Sequence, residues 1–276
     1  MPRFFLCFLC ALILLWNHPV FSVVELENAS PEVIEENYQK ALKSFEAGKY
    51  EESLNFIRHV IKSDMNHFKL RYLAAHNHWR QGHYEPAEIH FKRALSVKPE
   101  YAGIYVDLSL FYLDWRKYSE AQKIAEKGIR VLPDYDTKVP AKLYNVLARI
   151  ALRRGQYHTA LKWAEKSKSA FQDKKTRAKD QLEGVLLEAR SHLGLKEYEQ
   201  AEFAANWALS IRPEHVYTLN LLGFIYEIWA KTSTGKKREM LKEKSIEYYK
   251  KALQAKDIPT KFQNIIQKNL DRSENL

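Results

Sequence analysis

From about residue 34 onward, apolar and small residues recur at helical spacing in blocks that short polar turns separate. The clearest block, residues 82–99, begins with glycine, ends with proline and carries Tyr84, Ala87, Phe91 and Ala94 between them. Intervals of three and four residues keep these side chains on one face of an α-helix. The glycine allows the preceding helix to end, and the proline prevents this one from continuing. The block therefore predicts a turn followed by one amphipathic helix.

The block repeats along the chain. Tyr50, Tyr84 and Tyr118 are separated by two equal intervals of 34 residues. Self-similarity at this period is the signature of stacked helix pairs, in which each pair buries its apolar face against the next. The chain is therefore predicted to be all-α.

Later copies arrive at longer intervals. Tyr157 follows Tyr118 by 39 residues, and Tyr198 follows Tyr157 by 41. The extra residues are most simply placed at 134–140 and 174–181. A third insertion, at 231–244, is strongly basic, and we expect it to form a loop followed by a lengthened, solvated helix.

The order Gly, Tyr, Ala, aromatic, Ala and Pro, at offsets 0, 2, 5, 9, 12 and 17 in residues 82–99, resembles the tetratricopeptide repeat (TPR) family. The resemblance implies a right-handed α-solenoid of about six helix-turn-helix units over residues 31–257. The predicted units are 34–67, 68–101, 102–140, 141–181, 182–215 and 216–257. Residues 258–276 carry an apolar stripe, Phe262, Ile265, Ile266 and Leu270, and are predicted to form a capping helix and tail.

The N-terminus has a different character from the repeats. Residues 4–16 form an apolar run of 13 residues behind a single arginine, and Pro19 lies shortly after the end of this run. The run is shorter than the roughly 20 residues that span a bilayer, so residues 1–22 are predicted to be a signal peptide and 23–30 a short leader. We expect an exported protein without a membrane span after cleavage, located in the periplasm of a Gram-negative-type host or otherwise secreted. The alternative is tethering by an uncleaved N-terminal segment.

The composition limits which partners, metal sites and catalytic groups the protein can have. The 276 residues carry a net charge of +10, which favours acidic partners or anionic surfaces. Both cysteines, Cys7 and Cys10, lie in the apolar run, so the repeats offer no disulfide and no cysteine-ligated metal. Five histidines fall between His67 and His90, but they lack metal-ligand spacing and are expected to be surface residues. With no nucleophile–base pair visible, we expect neither an enzyme nor a cofactor.

The resemblance also implies a binding surface, because the first helix of each unit lines the concave face in TPR proteins. The third unit contributes mainly apolar positions, Val106, Leu110 and Leu113, with Asp114. The candidate groove residues elsewhere are Lys69, Tyr72, His76, Trp79 and Arg80 in unit two, Lys142, Asn145, Arg149 and Arg153 in unit four, Arg190 in unit five, and Tyr217, Asn220 and Phe224 in unit six.

A groove that is aromatic at one end and cationic in its middle suits an extended acidic peptide or a chain terminus. The expected function is that of an exported adaptor that binds a protein or peptide partner, in assembly or maintenance of a cell-envelope complex. One alternative is that the cations form only a solvated face. Another is an envelope factor that binds an anionic polymer or glycan through its basic surface. Nucleic acid is not an expected partner after export.

Overall fold

The computed structural model describes residues 28–131, 138–170, 178–256 and 258–276. These residues form thirteen α-helices and no strand, which confirms the all-α prediction. The predicted signal peptide and most of the leader lie outside them. The helices are α1 (Pro31–Glu46), α2 (Tyr50–Val60), α3 (Phe68–Arg80), α4 (Tyr84–Val97), α5 (Ala102–Asp114), α6 (Tyr118–Val131), α7 (Lys138–Arg153), α8 (Tyr157–Ala170), α9 (Ala178–Gly194), α10 (Tyr198–Ile211), α11 (Val216–Lys231), α12 (Gly235–Gln254) and α13 (Thr260–Glu274).

The helices stack as six successive pairs, from α1–α2 to α11–α12. Each odd-numbered helix packs against its even-numbered partner, and each even-numbered helix packs against the first helix of the next pair. First helices also contact one another, α5 with α7 and α7 with α9 for example, so they form a continuous inner row. The arrangement is an α-solenoid whose inner surface the first helices line.

The last helix, α13, covers the end of the stack by packing on α12 and α11. Ile266 and Leu270 of the predicted stripe are buried, and Phe262 stacks on Tyr217 with ring centroids 4.3 Å apart. Ile265 is exposed, contrary to the prediction, because it lies about 100° around the helix from Ile266. The other three residues of the stripe cover the apolar face of the sixth helix pair.

Five of the six turns within pairs share one geometry. In the second turn, Gly82 donates from its N–H to the Trp79 carbonyl at 3.0 Å, and His83 donates to the His78 carbonyl at 2.9 Å. This 5→2 and 6→1 pattern is the Schellman motif, whose central residue needs a left-handed backbone. The residues at that position have φ between 61° and 76°: Gly48, Gly82, Arg116, Gly155 and Lys196.

Because Arg116 is strained where other turns use glycine, Arg116→Gly is expected to stabilise the protein. Left-handed backbone costs a non-glycine residue roughly 1–2 kcal/mol. The greater entropy of glycine in the unfolded state offsets about 0.5–1 kcal/mol of the gain from removing that cost. The free energy of unfolding in urea should therefore rise by about 0.5–1 kcal/mol. Gly82→Arg, the reverse change at the same repeat position, should lower it. A less stable Arg116→Gly variant would contradict this account of the turn.

The insertions lengthen helices where the structure describes them. Residues 138–140 and 178–181 belong to α7 and α9, of 16 and 17 residues, whereas α3 and α5 have 13. The sequence placed these residues in insertions without predicting that they would be helical; positions 134–137 and 174–177 lie outside the described residues. The third insertion gives a loop at 232–234 and the 20-residue α12, as expected.

Candidate functional site

Neighbouring first helices are linked by side chains one repeat apart. Lys69 Nζ on α3 lies 3.1 Å from Glu35 Oε2 on α1, and Trp79 Nε1 donates to Asp114 Oδ2 on α5 at 3.0 Å. The separations along the chain are 34 and 35 residues, so each link joins nearly equivalent positions of adjacent units. Much of the polar surface at this end is therefore satisfied within the molecule.

An aromatic cluster surrounds a further link between α3 and α5, made to Asp107. Tyr72 and His76 pack edge to face with ring centroids 4.7 Å apart, and both reach Asp107 of α5. His76 Nε2 lies 3.1 Å from Asp107 Oδ2, to which the Tyr72 hydroxyl also donates a hydrogen bond. Burial raises the pKa of Asp107, but hydrogen bonds from His76 and Tyr72 and the charge of Lys142 more than offset it, so the pKa is lowered. Asp107 is thus an anion that neighbouring donors stabilise, and Tyr72 and His76 are engaged in holding it.

The middle of the inner row is cationic. Lys142, Arg149 and Arg153 of α7 and Arg190 of α9 are all exposed, as the sequence predicts. Arg149 Nη2 is paired with Glu183 Oε1 at 2.6 Å. Arg153 and Arg190 have no ion-pair partner among the described residues. The pKa of the Arg190 guanidinium is lowered by loss of water around it and then by the charges of Arg153 and Arg149, so the guanidinium groups are close enough to repel one another.

Asn145 departs from the predicted surface. It is only 3% exposed, and its Oδ1 has no hydrogen-bond partner among the described residues. Its position is about 60° around α7 from Lys142, at the edge of the face that Arg149 and Arg153 share. Packing of α7 between α5 and α9 covers that edge. Asn145 is therefore corrected from a groove residue to a buried one.

At the C-terminal end, the predicted residues meet the cap. Tyr217 and Phe224 are exposed, and the Arg272 guanidinium lies 6.0 Å from the Phe224 ring centroid. Asn220 Oδ1 accepts a hydrogen bond of 3.1 Å from Asn269 Nδ2 of α13. The structure therefore brings α11 and α13 together here and separates them from the cations of α7. Arg80, the remaining candidate, is exposed at the end of α3.

Sequence reasoning missed the acidic partners of the row. Glu183 was not identified, and Glu35, Asp107 and Asp114 were not read as partners of α3 side chains. Alignment of the units contained a signal for one pair, because Glu35 and Lys69 stand 34 residues apart at equivalent positions. Arg149 and Glu183 are also 34 residues apart, but units four and five are offset by 41 residues, so alignment does not pair them. A cation and an acid at equivalent positions of adjacent units form a pair that the period itself predicts.

The basic insertion makes contacts inside the molecule. Lys237 Nζ lies 4.8 Å from the Trp229 ring centroid, and Lys244 Nζ lies 4.9 Å from that of Tyr226. Lys231 pairs with Glu227 at 2.6 Å, and Arg238 Nη2 donates to the Leu276 carbonyl at 2.5 Å. Four cations of residues 231–244 therefore brace the last pair and its cap.

Lysines also cover the tryptophans. Of the five tryptophans in the described ranges, four have a lysine ammonium over the ring: Trp115 with Lys117, Trp163 with Lys166, Trp207 with Lys168 and Trp229 with Lys237. The exception, Trp79, packs against Phe91 and Phe111. These rings serve packing and cation–π contact.

Three histidines approach one another, one on α3, one on α4 and one in the turn between them. The rings of His78 and His90 stack with centroids 5.5 Å apart, and His83 lies 6.0 Å from His78. Of the five histidines expected at the surface, His83 is exposed, and His67, His76, His78 and His90 are half-buried. Burial, then the charges of Arg71 and His78, lowers the pKa of His90 to about 4. The described residues contain no group of three metal-binding side chains arranged to hold an ion.

The protein is therefore expected to lose stability on mild acidification. The folded-state pKa of His90 lies below the unfolded value of about 6.5, so the unfolded chain binds protons first as pH falls. Between pH 7 and about 5, the free energy of unfolding should drop by about 2 kcal/mol through this group. Urea titrations at both pH values should show that loss, and His90→Gln should reduce it. An equal loss in the variant would assign the effect to other groups.

The fold and its inner row define a class, the helical-repeat solenoid, and comparison with known proteins refines it. Residues 68–101, which span α3 and α4, match the family model of the tetratricopeptide repeat. This confirms the predicted resemblance for the second helix pair. No curated protein sequence matches the chain.

Solved structures share the fold over most of the chain. The chain matches PilW, described as a widely conserved type IV pilus biogenesis factor, with a TM-score of 0.66 and 17% identity over 86% of this chain and 100% of that one. The Pseudomonas aeruginosa protein PilF matches with a TM-score of 0.61 and 14% identity over 86% and 98%. The APC/C hetero-tetramer Cut9–Hcn1 matches with a TM-score of 0.66 and 13% identity over 88% of this chain. The chain spans 43% of that last relative's length. At these identities the likeness shows the fold.

No helix within the described ranges combines the length and apolar character needed to cross a membrane. The apolar run at residues 4–16 lies outside those ranges.

Proposed function

We propose that this protein is an interaction scaffold whose inner row of first helices binds an acidic segment of a protein or peptide partner. The observation that carries the proposal is the cluster of Arg153, Arg190 and Arg149, with Lys142 on the same helix face. Like charges held together on an exposed surface gain stabilisation when an anion enters between them. Arginine also takes a carboxylate through two parallel hydrogen bonds.

The contacts on either side limit where the partner can bind. At α3, the polar groups Lys69, Tyr72 and Trp79 already have partners in adjacent units. Arg153 and Arg190 have none among the described residues. The acidic segment should therefore centre on α7 and α9, with apolar contacts extending over Leu110 and Leu113 of α5, both half-buried.

Export and work in the cell envelope are further parts of the proposal. Export rests on the apolar run at residues 4–16 and the interruption at Pro19. PilW shares the fold and is described as a pilus biogenesis factor, so assembly of an envelope structure is a compatible role. Binding of an anionic polymer or glycan through the basic surface has less support. Four cations of the basic insertion already contact other groups of this protein.

Charge reversal at Arg153 and Arg190 tests the binding surface. The probe is a fluorescein-labelled Gly-Ser peptide that carries four glutamates, with a four-glutamine version as reference, and the readout is fluorescence anisotropy. Arg153→Glu with Arg190→Glu is expected to weaken binding of the acidic peptide by about tenfold or more, which corresponds to about 1.4 kcal/mol. Stability should change little, because exposed charges contribute only about 0–1 kcal/mol each.

The matched control is Lys123→Glu with Lys127→Glu on α6, which changes net charge equally at exposed positions outside the inner row. Its affinity for the peptide should stay within about twofold of the parent at physiological salt, where distant charges are screened. Equal loss in both double variants would show that net charge, rather than the groove, attracts the peptide. Loss on Lys236→Glu with Lys237→Glu alone would assign binding to the basic insertion.

A further inference from the structure

Phe203 of α10 is the most exposed large hydrophobic side chain among the described residues, at 73%. Trp207, one turn later on the same helix, is exposed as well. The second helices of the other units carry different residues at the position of Phe203, five beyond the shared tyrosine: Asn55, Ile89, Lys123 and Lys162. An aromatic ring thus stands at a position that most other units give to polar side chains.

A shallow pocket of about 390 Å³ lies beside the ring. Its lining residues come from α9 and α10: Glu188, His192, Glu199, Gln200, Phe203 and Ala204. Glu188 is paired with Lys168 at 2.5 Å, and His192 Nδ1 lies 2.6 Å from Glu197 Oε2. Glu199 has no ion-pair partner among the described residues. Glu199 and Phe203 are four residues apart, so both project from one face of α10.

The rest of the molecule shows what such a ring accepts. Lysine ammonium groups cover four tryptophans, and also the rings of Tyr226 and Tyr248, at 4.9 and 5.2 Å from the centroid. Within the described ranges no cation lies over Phe203, although a carboxylate stands one turn away. An exposed ring beside an unpaired carboxylate offers two attractions to one cation, the face of the ring and the negative charge.

We propose that this pocket binds a basic side chain of a protein partner, stacked on Phe203 and paired with Glu199. Glu188 is already paired with Lys168, so among the described residues the unpaired carboxylate of the pocket is that of Glu199, and a basic side chain meets opposite charge here rather than on the cationic inner row. Arginine suits the site best because its planar guanidinium stacks on a ring while forming two hydrogen bonds to a carboxylate. The site is separate from the proposed acidic-peptide groove and selects the opposite charge.

NMR titration of the full chain with short peptides tests the proposal. The probes are acetyl-Gly-Ser-X-Ser-Gly-amide, in which X is arginine, lysine, citrulline or glutamate, and the readout is saturable shifts at the Gln200 and Ala204 amides. We expect the arginine peptide to bind about tenfold more tightly than the citrulline peptide, which has the same shape without the charge. Binding of the lysine peptide would show that charge suffices. If the arginine peptide binds and the lysine peptide does not, the planar guanidinium is required.

Phe203→Lys, which gives α10 the residue found in the third and fourth units, should remove saturable binding of the arginine peptide. Glu199→Gln should weaken it several-fold. The matched control is Ile89→Lys, an exposed apolar residue at the same repeat position of α4, which should bind like the parent. Arg153→Glu with Arg190→Glu should also leave binding of the arginine peptide unchanged. The present proposal can therefore fail independently of the proposed acidic-peptide site on the inner row. Equal affinity for arginine and citrulline peptides, or unchanged binding by a folded Phe203→Lys variant, would overturn the proposal.

Discussion

Replacing Phe91 with alanine is expected to lower the free energy of unfolding by about 3–5 kcal/mol, the usual cost of removing a fully buried phenylalanine. The ring is fully buried on α4, and its centroid lies 5.3 Å from those of both His76 and Phe111. It therefore joins the second helix of unit two to the first helices of units two and three. A cavity there removes contacts from three helices at once.

Urea unfolding followed by circular dichroism measures this loss, and hydrogen exchange shows where it falls. Protection should decrease first in α3, α4 and α5, because a solenoid's stability comes from neighbouring units. Phe203→Ala is the control, since the exposed ring should contribute within about 0.5 kcal/mol. A loss below about 1 kcal/mol for Phe91→Ala would mean that surrounding rings collapse into the space.

The helix pairs could be predicted because each unit repeats strict physical requirements. Tyr84, Phe91 and their equivalents occupy one helix face, and the turn needs a left-handed residue. Turn positions were visible where glycine supplies them, as at Gly82, and Arg116 could be aligned with them by the period. The helical extension of α7 and α9 could not be predicted, because an insertion's length does not say whether its residues lengthen a helix or a loop.

The candidate groove was predictable as a set of helix faces but not as a network of contacts. Spacing along α7 correctly places Lys142, Arg149 and Arg153 on an exposed face. It does not say that packing on α5 and α9 covers Asn145 at the edge of that face. Nor does spacing within one helix reveal a partner on the next, such as Glu183 for Arg149. Those facts depend on how closely neighbouring units approach, which local sequence does not specify.

The cap depends on one buried carboxylate. Glu227 of α11 is fully buried and accepts hydrogen bonds from Arg272 Nε at 2.5 Å, Arg272 Nη2 at 2.6 Å and the Tyr249 hydroxyl at 3.0 Å. Lys231 pairs with it at 2.6 Å. Burial raises the pKa of Glu227, but these donors, Arg272 first, more than offset it and lower the pKa. The carboxylate is therefore stabilised as an anion mainly by α13.

Arg272→Met is expected to lower the free energy of unfolding by about 3 kcal/mol near neutral pH. Removing one partner of a buried pair costs about 3–5 kcal/mol, and the lower end applies because Lys231 and Tyr249 remain and Arg272 itself is 45% exposed. Methionine keeps the apolar length of the side chain, so lost packing contributes little. Urea titration gives the stability change, and hydrogen exchange in α11, α12 and α13 locates it.

The pH dependence of Arg272→Met separates lost charge pairing from lost packing. In the parent, the lowered pKa of Glu227 means that its contribution is present above the unfolded value, about 4.3, and is lost as pH falls through the folded value. In the variant, Arg272 no longer counteracts the effect of burial, so the pKa of Glu227 should rise. The buried Glu227 anion should then reduce the free energy of unfolding as pH increases. The gap in free energy of unfolding between the two proteins should therefore be widest near pH 7 and should narrow toward about pH 4, where Glu227 of the variant accepts a proton. Lys250→Met, which removes an exposed lysine 3.8 Å from Glu274 on α13, should show neither the loss nor the trend. A gap independent of pH would show that Arg272 holds the cap by packing alone.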